Sequence, residues 1–190
     1  MIKVLFLAGS TRSGSFNKML AKEAFQMAED QGVQATYIDL RDFPMPLYDG
    51  DLEAEKGLPE TAKRLKEVFV DHPAFLISSP EYNSSFSAVL KNTLDWISRK
   101  HEKDEATRVA FEGKLAALTA ASPGALGGLR GLVPLRMMLG NMGVFVVPKQ
   151  FALGKAGEAF DAEGRLISEQ NRAGLRAVVD ELIQVTEKLT

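Results

Sequence analysis

The sequence predicts a single α/β domain in which helices cover both faces of a parallel β-sheet. Short, almost wholly apolar runs alternate along the chain with amphipathic runs of helical period, which is the pattern of strand and helix units in such a sheet. Polar loops follow several of the apolar runs, as expected where buried strands end. The length of 190 residues fits one domain over residues 1–190, with no internal repeat or linker.

The first strand and helix are separated by a polar loop. Lys3 to Ala8 is a run typical of a strand buried on both faces. The loop from Gly9 to Ser15 follows, and apolar residues at helical spacing then begin at Phe16 and end before Gly32. A second strand is predicted over Gln34 to Asp39.

The middle of the chain repeats this order after a long Pro-rich loop. That loop is too long to be a simple connector, and Pro59 then opens a helix that runs to about Asp71. Ala74 to Ser79 is the third predicted strand. A polar loop leads from it into a helix with apolar residues on one face from Phe86 to Ile97.

The last third of the chain supplies two further strands and two helices. Lys114 to Ala120 is predicted as the fourth strand, Leu129 to Leu139 as a helix and Val144 to Val147 as the fifth strand. After an irregular stretch rich in Gly, apolar spacing from Val178 to Leu189 predicts a final amphipathic helix.

Five strands alternating with helices favour the flavodoxin-like strand order 2-1-3-4-5, and a Rossmann order is the main alternative. In the favoured order, the chain changes direction between strands 1 and 3. Ligands bind beyond the carboxyl ends of the strands at such a switch point. The most unusual loops of this sequence follow the first and third predicted strands, so we expect the site there.

Composition restricts the class of function. Lys plus Arg (23) nearly balances Asp plus Glu (25), for a net charge of −2, which argues against a nucleic-acid groove or a polybasic membrane face. No apolar run approaches the length of a membrane-spanning helix, and the N-terminal residues lack a signal-peptide pattern, so we expect a cytoplasmic protein without membrane insertion. Cysteine is absent, which excludes thiol chemistry and cysteine metal ligands. Any redox chemistry would therefore need a bound cofactor.

The loop from Gly9 to Asn17 is suited to a phosphate group. Immediately before a helix it presents hydroxyl, amide and guanidinium groups, from Ser10, Thr11, Arg12, Ser13, Ser15 and Asn17. Free backbone N–H groups and the positive end of the helix dipole favour an anion there, and a guanidinium matches phosphate oxygens. The alternative is a polar turn in which Ser15 only caps the helix, which would leave Arg12 unexplained. The GxGxxG fingerprint of Rossmann dinucleotide sites is missing.

Two further loops follow the third and fourth predicted strands. Pro80 to Ser85 contains no pair of nucleophile and base, but its backbone can meet the edge of a planar heterocycle, with Tyr82 available to pack and Asn83 to donate or accept. The alternative is a plain turn in which Tyr82 packs on the surface and Asn83 caps the helix. Ser122 to Gly128 is rich in glycine, which permits close backbone approach to a ligand or makes a plain flexible turn.

Together the three loops carry motifs that identify a family. The motifs are Gly9-Ser10-x-Arg12-x-x-Ser15-x-Asn17, Pro80-Glu81-Tyr82-Asn83-x-Ser85-x-Ser87-x-x-Leu90-Lys91-Asn92-x-x-Asp95-Trp96 and Ser122-Pro123-Gly124-x-x-Gly127-Gly128. In this order and at these spacings, the chain resembles the NADPH-dependent FMN reductase family over nearly its whole length. That family has a flavodoxin-like fold and includes quinone, chromate and azo-dye reductases.

The resemblance implies FMN-binding roles for the matched positions. The residues that match the phosphate-holding positions are Ser10, Arg12, Ser15, Phe16 and Asn17. Those that match the positions lining the isoalloxazine and ribityl are Pro80, Glu81, Tyr82 and Asn83. Ser122 and Gly124 match the loop that borders the ring system. In this turn, we expect the backbone of Glu81 to matter more than its carboxylate.

The resemblance also implies a ping-pong reaction, in which NADPH or NADH passes hydride to bound FMN and a small-molecule electron acceptor then takes the electrons. No side chain has to act as general base, so we assign no catalytic residue and no metal ligand. An FMN-binding electron carrier and a regulatory flavoprotein without nicotinamide turnover are the alternatives. The modest net charge and Arg12 favour the reductase over the carrier.

The flavin of a single-domain protein of this kind has one open face, which a second subunit can cover. In the family, the helices after strands 3 and 4 form a dimer. The helix after strand 3 carries an apolar stripe long enough for both core and interface, made of Phe86, Val89, Leu90, Leu94, Trp96 and Ile97. We therefore expect a homodimer, with a homotetramer as the alternative.

Overall fold

A computed structural model describes residues 2–190 of the chain. Its strands are, in chain order, β1 (Lys3–Ala8), β2 (Gln34–Ile38), β3 (Ala74–Ser78), β4 (Glu81–Tyr82), β5 (Ser85–Phe86), β6 (Leu115–Ala121) and β7 (Phe145–Leu153). Five of them form one parallel sheet in the order β2-β1-β3-β6-β7, and β4 and β5 form a separate hairpin. Without the hairpin this is the flavodoxin-like order 2-1-3-4-5. The predicted order is therefore confirmed, and the Rossmann alternative is wrong.

Helices cover both faces of the sheet. They are α1 (Phe16–Glu29), α2 (Gly50–Lys56), α3 (Glu60–Asp71), α4 (Ala88–Ser98), α5 (Leu129–Asn141) and α6 (Glu169–Leu189). Successive side chains of a strand point to opposite faces, so β1 contributes to two cores. Val4 and Phe6 pack with α1 and α6 on one face, and Leu5 and Leu7 pack with α3, α4 and α5 on the other. All four side chains are fully buried, as predicted for a strand inside a parallel sheet.

The Pro-rich loop after β2 contains structure that the sequence analysis did not predict. Residues Gly50–Lys56 form α2, and the Asp49 side chain caps this helix by accepting a hydrogen bond from the Asp51 N–H (2.8 Å). No residue of α2 is buried. Because helix prediction depends on apolar periodicity, a short exposed helix of this kind leaves no such signal.

The predicted bounds near the C-terminus were too short. Strand β7 continues beyond Val147 through Pro148 to Leu153. Proline has no N–H to donate, but β7 is the edge strand of the sheet, where that loss is tolerated. Helix α6 begins at Glu169, well before Val178. Its first turns were not predicted because they are largely exposed and polar. Ser168 caps this helix by accepting from the Asn171 N–H (3.4 Å).

The fold brings the three polar loops together. Strands β1, β3 and β6 are neighbours in the sheet, so the loops that follow them meet at one edge. Helix α4 fixes the first loop, because the Ser87 hydroxyl donates to the Gly9 carbonyl. A Cβ atom at Gly9 would lie only 2.9 Å from Leu90 Cδ2, so glycine allows this close approach. No helix within residues 2–190 combines the length and apolar character needed to cross a membrane.

Candidate functional site

The loops after β1, β3 and β6 surround a cavity of about 120 Å³. Nine of the eleven residues expected to bind a cofactor line it, namely Ser10, Arg12, Ser15, Phe16, Asn17, Pro80, Glu81, Tyr82 and Ser122. Ala121 and Pro123 line it as well and were missed by the sequence analysis. The other two expected residues, Asn83 and Gly124, do not line the cavity. Most of the predicted residues are thus brought to one place by the strand order.

The N-terminus of α1 opens into this cavity without a side-chain cap. Ser15 occupies the N-cap position with extended backbone angles, but its hydroxyl makes no capping hydrogen bond. Among the described residues, the backbone N–H groups of Phe16 and Asn17 also have no acceptor. The alternative that Ser15 only caps the helix is therefore wrong. Unpaired donors at the positive end of a helix dipole provide a site for an anion.

Arg12 is held beside this helix terminus. Its Nη2 donates to the Gly14 carbonyl (2.7 Å), and its guanidinium carbon lies 5.7 Å from the centroid of the Phe16 ring. Phe16 in turn stacks on Phe160, with centroids 6.4 Å apart and planes 2° from parallel. The Arg12 side chain is otherwise exposed, so most of its donors are available to an anion.

Asn17 has a structural role that the sequence analysis did not foresee. Its Nδ2 donates to the Ala121 carbonyl (2.8 Å), and its Oδ1 accepts from the Ala121 N–H (2.9 Å) and from the Ser78 hydroxyl (3.0 Å). These bonds join the start of α1 to the carboxyl ends of β3 and β6. The side-chain oxygen is fully used, so the backbone N–H is the main group that Asn17 offers to the cavity.

Glu81 lines the cavity, and its carboxylate accepts hydrogen bonds from the start of α5. The carboxylate accepts from the Arg130 backbone N–H (3.1 Å) and from Arg130 Nε (3.0 Å) at the start of α5. The Glu81 side chain is only 10% exposed. The carboxylate therefore caps α5 and pairs with a guanidinium, as a negative charge at a helix N-terminus is expected to do.

The β4–β5 hairpin has a two-residue turn with left-handed backbone angles. The φ values of Asn83 and Ser84 are 52° and 65°, which is the pattern of a type I′ turn. Asn83 lies in this turn and is not among the residues that line the cavity. Asn83 does not cap α4, because Ser87 is the N-cap and its hydroxyl accepts from the Leu90 N–H (3.2 Å). The expected Asn83 cap is therefore wrong, whereas Tyr82 is 59% exposed, as the plain-turn alternative expected, and also lines the cavity.

Backbone hydrogen bonds hold the glycine-rich loop after β6 in place. The Gly124 carbonyl accepts from the N–H groups of Gly127 (3.2 Å) and Lys155 (3.3 Å), and the Ser122 N–H donates to the Leu153 carbonyl (3.1 Å). Gly127 has a φ of +63°, and a Cβ atom there would lie 2.6 Å from the Leu153 carbonyl carbon. Glycine is required at this position both by the backbone angle and by the packing against β7. Hydrogen bonds thus hold the loop against the end of β7, so it is not a plain flexible turn.

A second arginine beside the first loop was missed by the sequence analysis. Arg41 Nη1 donates to the Ser13 hydroxyl (3.2 Å), and Asp39 Oδ2 accepts from Arg41 Nε (3.2 Å) and from Lys18 Nζ (2.7 Å). Burial raises the pKa of Asp39, but hydrogen bonds from Lys18 and Arg41 outweigh this effect, so the pKa lies below its ordinary value. Asp39 therefore stays ionised and fixes Arg41. A basic residue directly after strand 2 was the available signal.

Comparison with known sequences decides the family. Residues 2–158 match the sequence profile of the NADPH-dependent FMN reductase family. The chain belongs to this family. It is 37% identical over 172 residues to an NAD(P)H-dependent FMN reductase of Pseudomonas aeruginosa, covering 90% of this chain and 88% of that protein. It is 32% identical over 194 residues to an NADPH:quinone oxidoreductase of Arabidopsis thaliana, covering 100% and 94% of the two chains.

The FMN reductase fold is also found among solved structures. FerB, a flavoenzyme NAD(P)H:(acceptor) oxidoreductase from Paracoccus denitrificans, matches with a TM-score of 0.84 and 28% identity, covering 100% of this chain and 99% of that chain. RosB, solved with a riboflavin-phosphate derivative, matches with a TM-score of 0.78 at 17% identity, which shows the shared fold. As an FMN reductase family member, the chain is an oxidoreductase with FMN and NAD(P)H as cofactors.

The cavity fits one part of FMN closely. A phosphate requires hydrogen-bond donors and positive charge. The cavity offers unpaired backbone N–H groups, the Ser15 hydroxyl, which makes no capping hydrogen bond, and the adjacent Arg12. At about 120 Å³ it is smaller than the roughly 300 to 1,000 Å³ of closed small-molecule sites. Its volume is that of a site for part of a flavin.

Proposed function

We propose that the protein catalyses ping-pong hydride transfer, in which bound FMN takes hydride from NAD(P)H and then passes the electrons to a quinone, an azo compound, chromate or a similar acceptor. The observation that carries this proposal is the uncapped N-terminus of α1 beside Arg12, in the cavity where the three loops meet. Relatives named as quinone reductases, in Escherichia coli at 33% identity among others, support a small-molecule acceptor.

The phosphate of FMN would bind at the start of α1. The residues that we assign to it are Ser10, Arg12, Ser15, Phe16 and Asn17. Phe16 and Asn17 would contribute backbone N–H groups, Ser15 its hydroxyl and Arg12 its charge. The Asn17 amide is already used between β3 and β6, so its role toward the phosphate is limited to the backbone.

The isoalloxazine would meet the loops after β3 and β6. Pro80, Glu81, Tyr82 and Ser122 line the cavity and can offer backbone groups, a hydroxyl and an aromatic face. We assign supporting roles to the two expected residues outside the cavity. Asn83 adopts the left-handed turn that presents Tyr82, and Gly124 accepts the hydrogen bonds that hold the loop after β6.

We assign no general acid or base among the described side chains that line the cavity. The ionisable residues of its lining are Arg12, Glu81 and Tyr82. The Glu81 carboxylate is hydrogen-bonded to Arg130 at the start of α5, and a guanidinium has no acceptor atom to take up a proton. The protein would therefore act by binding and orienting the reactants, which is what flavin-dependent hydride transfer requires of it.

Anaerobic reduction tests this function. The FMN-loaded protein is mixed with NADPH or NADH in the absence of oxygen, and the flavin absorbance is followed. We expect rapid bleaching, then recovery of the oxidised spectrum when a quinone, an azo dye or chromate is added. Steady-state rates should give parallel double-reciprocal lines, the signature of ping-pong kinetics. Flavin that stays oxidised with both nucleotides would instead indicate an electron carrier or a regulatory flavoprotein.

We also propose that the protein forms a homodimer through α5, or a homotetramer made of two such dimers. Within one chain, Leu90, Leu94, Trp96 and Ile97 of α4 are fully buried, so most of the stripe expected at the interface is used by the core. By contrast, Leu129, Val133 and Met137 of α5 are 40%, 65% and 65% exposed and lie four residues apart on one face.

This exposed α5 stripe directly follows the loop that lines the cavity after β6. A second copy seated there would supply a wall that one chain lacks. Light scattering at working concentration tests the proposal, and a mass of one chain would contradict it.

We place the activity in the cytoplasm. The proposed donor, NAD(P)H, and a chain without cysteine both suit a reducing compartment. Cell fractionation tests this location, and recovery of the protein outside the cytoplasmic fraction would contradict it.

A further inference from the structure

A second cavity lies on the other side of the loop after β1. It has a volume of about 320 Å³ and lies between residues 40–45 and the first turns of α4. Ser10 lines the first cavity, and the next residue, Thr11, lines the second, so the phosphate-binding loop separates the two. The second cavity falls within the usual size range of small-molecule sites. Its apolar lining comes from Leu40, Phe43, Pro44, Met45 and Val89.

Two of the four polar side chains that line this second cavity, those of Asn92 and Thr93, are occupied by bonds within the protein. Asn92 Oδ1 accepts from the Tyr48 N–H (2.7 Å), and Asn92 Nδ2 donates to the Pro46 carbonyl (2.9 Å). The Thr93 hydroxyl donates to the Val89 carbonyl (2.8 Å). Of the residues that line the cavity, Arg41 alone carries a charge. An apolar slot with one cation at its edge favours a ligand with a flat apolar part and an anionic group.

Arg41 is held ready for an anion. Its Nε and Nη2 lie 3.2 Å and 3.1 Å from Asp39 Oδ2, and its Nη1 donates to the Ser13 hydroxyl (3.2 Å). Lys18 Nζ, 2.7 Å from the same Asp39 oxygen, offsets the charge of Asp39, so the three residues together carry one net positive charge. Each Nη nitrogen still has a hydrogen to donate. The guanidinium is thus both fixed and incompletely satisfied.

A second cation flanks the aromatic wall of the cavity. The guanidinium carbon of Arg64, on α3, lies 5.4 Å from the centroid of the Phe43 ring. Phe43 itself lines the cavity. The aromatic residue against which a planar ring would pack is therefore close to a second positive charge, which favours an anionic ligand further.

We propose that this second cavity binds the adenosine 2′-phosphate end of NADPH and that Arg41 selects NADPH over NADH. This inference rests on the proposed function, which requires a nicotinamide dinucleotide near the first cavity. The two dinucleotides differ only in the 2′-phosphate. Adenine supplies the flat ring for the slot beside Phe43, and the 2′-phosphate supplies the anion for Arg41.

A binding measurement tests the site without turnover. Adenosine 2′,5′-bisphosphate and adenosine 5′-monophosphate are titrated into the FMN-loaded protein by calorimetry. We expect the bisphosphate to bind more tightly and Arg41→Ala to weaken its binding roughly ten- to a hundredfold, the range for one lost hydrogen bond to a charged group. The monophosphate should bind both proteins equally. Arg41→Lys keeps the charge but cannot span Asp39 and Ser13, so it should retain only part of the preference.

Arg165→Ala is the matched control, because Arg165 is exposed and lines neither cavity. It should leave both affinities unchanged. Equal binding of the two adenosine phosphates to the unaltered protein would overturn the inference. So would a loss of FMN affinity in Arg41→Ala without loss of the bisphosphate preference, since Arg41 would then serve the flavin phosphate.

The failure of this inference is distinguishable from failure of the proposed function. Reduction of the flavin by NADPH and NADH with equal kcat/KM would overturn the inference alone. Flavin that stays oxidised with both nucleotides would overturn the proposed function and with it the role of the second cavity in donor choice.

Discussion

Replacing Asn17 with alanine should destabilise the fold more than it weakens the phosphate site. The substitution removes three buried hydrogen bonds, to the Ala121 carbonyl (2.8 Å), the Ala121 N–H (2.9 Å) and the Ser78 hydroxyl (3.0 Å). At about 1 kcal/mol for each bond, the expected loss is about 3 kcal/mol. Leaving all partners unsatisfied would cost more, but water from the adjoining cavity can reach them, so we expect a value close to 3 kcal/mol.

Urea unfolding of the FMN-free protein measures this loss. With a slope of roughly 2 to 3 kcal/mol/M, a loss of about 3 kcal/mol lowers the midpoint by about 1 to 1.5 M. Asn141→Ala is the matched control, since Asn141 is exposed at the end of α5. Its midpoint should stay within about 0.3 M of the original, as for most surface substitutions. A loss below about 1 kcal/mol in Asn17→Ala would refute the role of this amide in joining β3 and β6.

The remaining predictions concern the phosphate site, the glycine loop, acid stability and assembly. Arg12→Ala should weaken FMN binding by about 1.5 to 3 kcal/mol in a fluorescence titration, and unchanged affinity would reject its assignment. Gly127→Ala should cost at least about 2 kcal/mol of unfolding free energy, because its φ is +63° and its Cβ would meet β7; a smaller loss would contradict this packing argument. Burial raises the pKa of Asp39, but the hydrogen bonds from Lys18 and Arg41 hold this pKa below its ordinary value. Its stabilisation should therefore be complete above that value and disappear as pH falls through the lower folded pKa, so unfolding curves of Asp39→Asn and the original protein should converge in acid. Val133→Glu should convert the proposed dimer to single chains in light scattering, and a retained dimer would place the interface elsewhere.

The main sheet could be predicted from sequence because its strands carry a strong local signal. Phe75, Leu76 and Ile77 are fully buried, and so is the matching run in β1. A strand covered on both faces has no polar alternation, and this continuous apolar pattern is easily recognised. The elements that were missed lack such a pattern. Helix α2 buries no residue, and the β4–β5 hairpin depends on left-handed angles at Asn83 and Ser84 that residue type alone does not specify.

The apolar stripe of α4 illustrates a different limit. Its spacing correctly predicted a helix, although Phe86, expected on its face, lies in β5. Spacing cannot tell whether an apolar face meets the same chain or another. Trp96 packs with Leu58, which lies between α2 and α3, and with Ala62 of α3. Those contacts join parts of the chain far apart in sequence, so they depend on the tertiary fold. The exposed face of α5 became evident only when the core partners of both helices were known.

The two arginines near the first loop differ in how far sequence can place them. Arg12 belongs to the loop itself, so a phosphate role follows from the loop's position before a helix. The position of Arg41 depends on Asp39, which is fixed by Lys18 from α1 through a side-chain contact 21 positions away in the chain. A chain of three side chains from two elements leaves no regular spacing. The place of Arg12 in the phosphate site was therefore predictable, and the place of Arg41 beside the second cavity, which depends on tertiary contacts, was not.

The same reasoning decides which substitution tests flavin binding most directly. Among the residues matched to cofactor positions, Asn17 and Glu81 have side chains that join elements of the fold, so their loss changes stability and the shape of the cavity together. Arg12 is exposed, and among residues 2–190 its side chain donates a hydrogen bond to the neighbouring Gly14 carbonyl and lies over the Phe16 ring. Substitution of such a surface side chain usually changes the free energy of unfolding by less than about 0.5 kcal/mol. A loss of 1.5 to 3 kcal/mol in FMN affinity on Arg12→Ala, about the range expected for a charged hydrogen bond, would therefore report the phosphate contact and not a weakened fold.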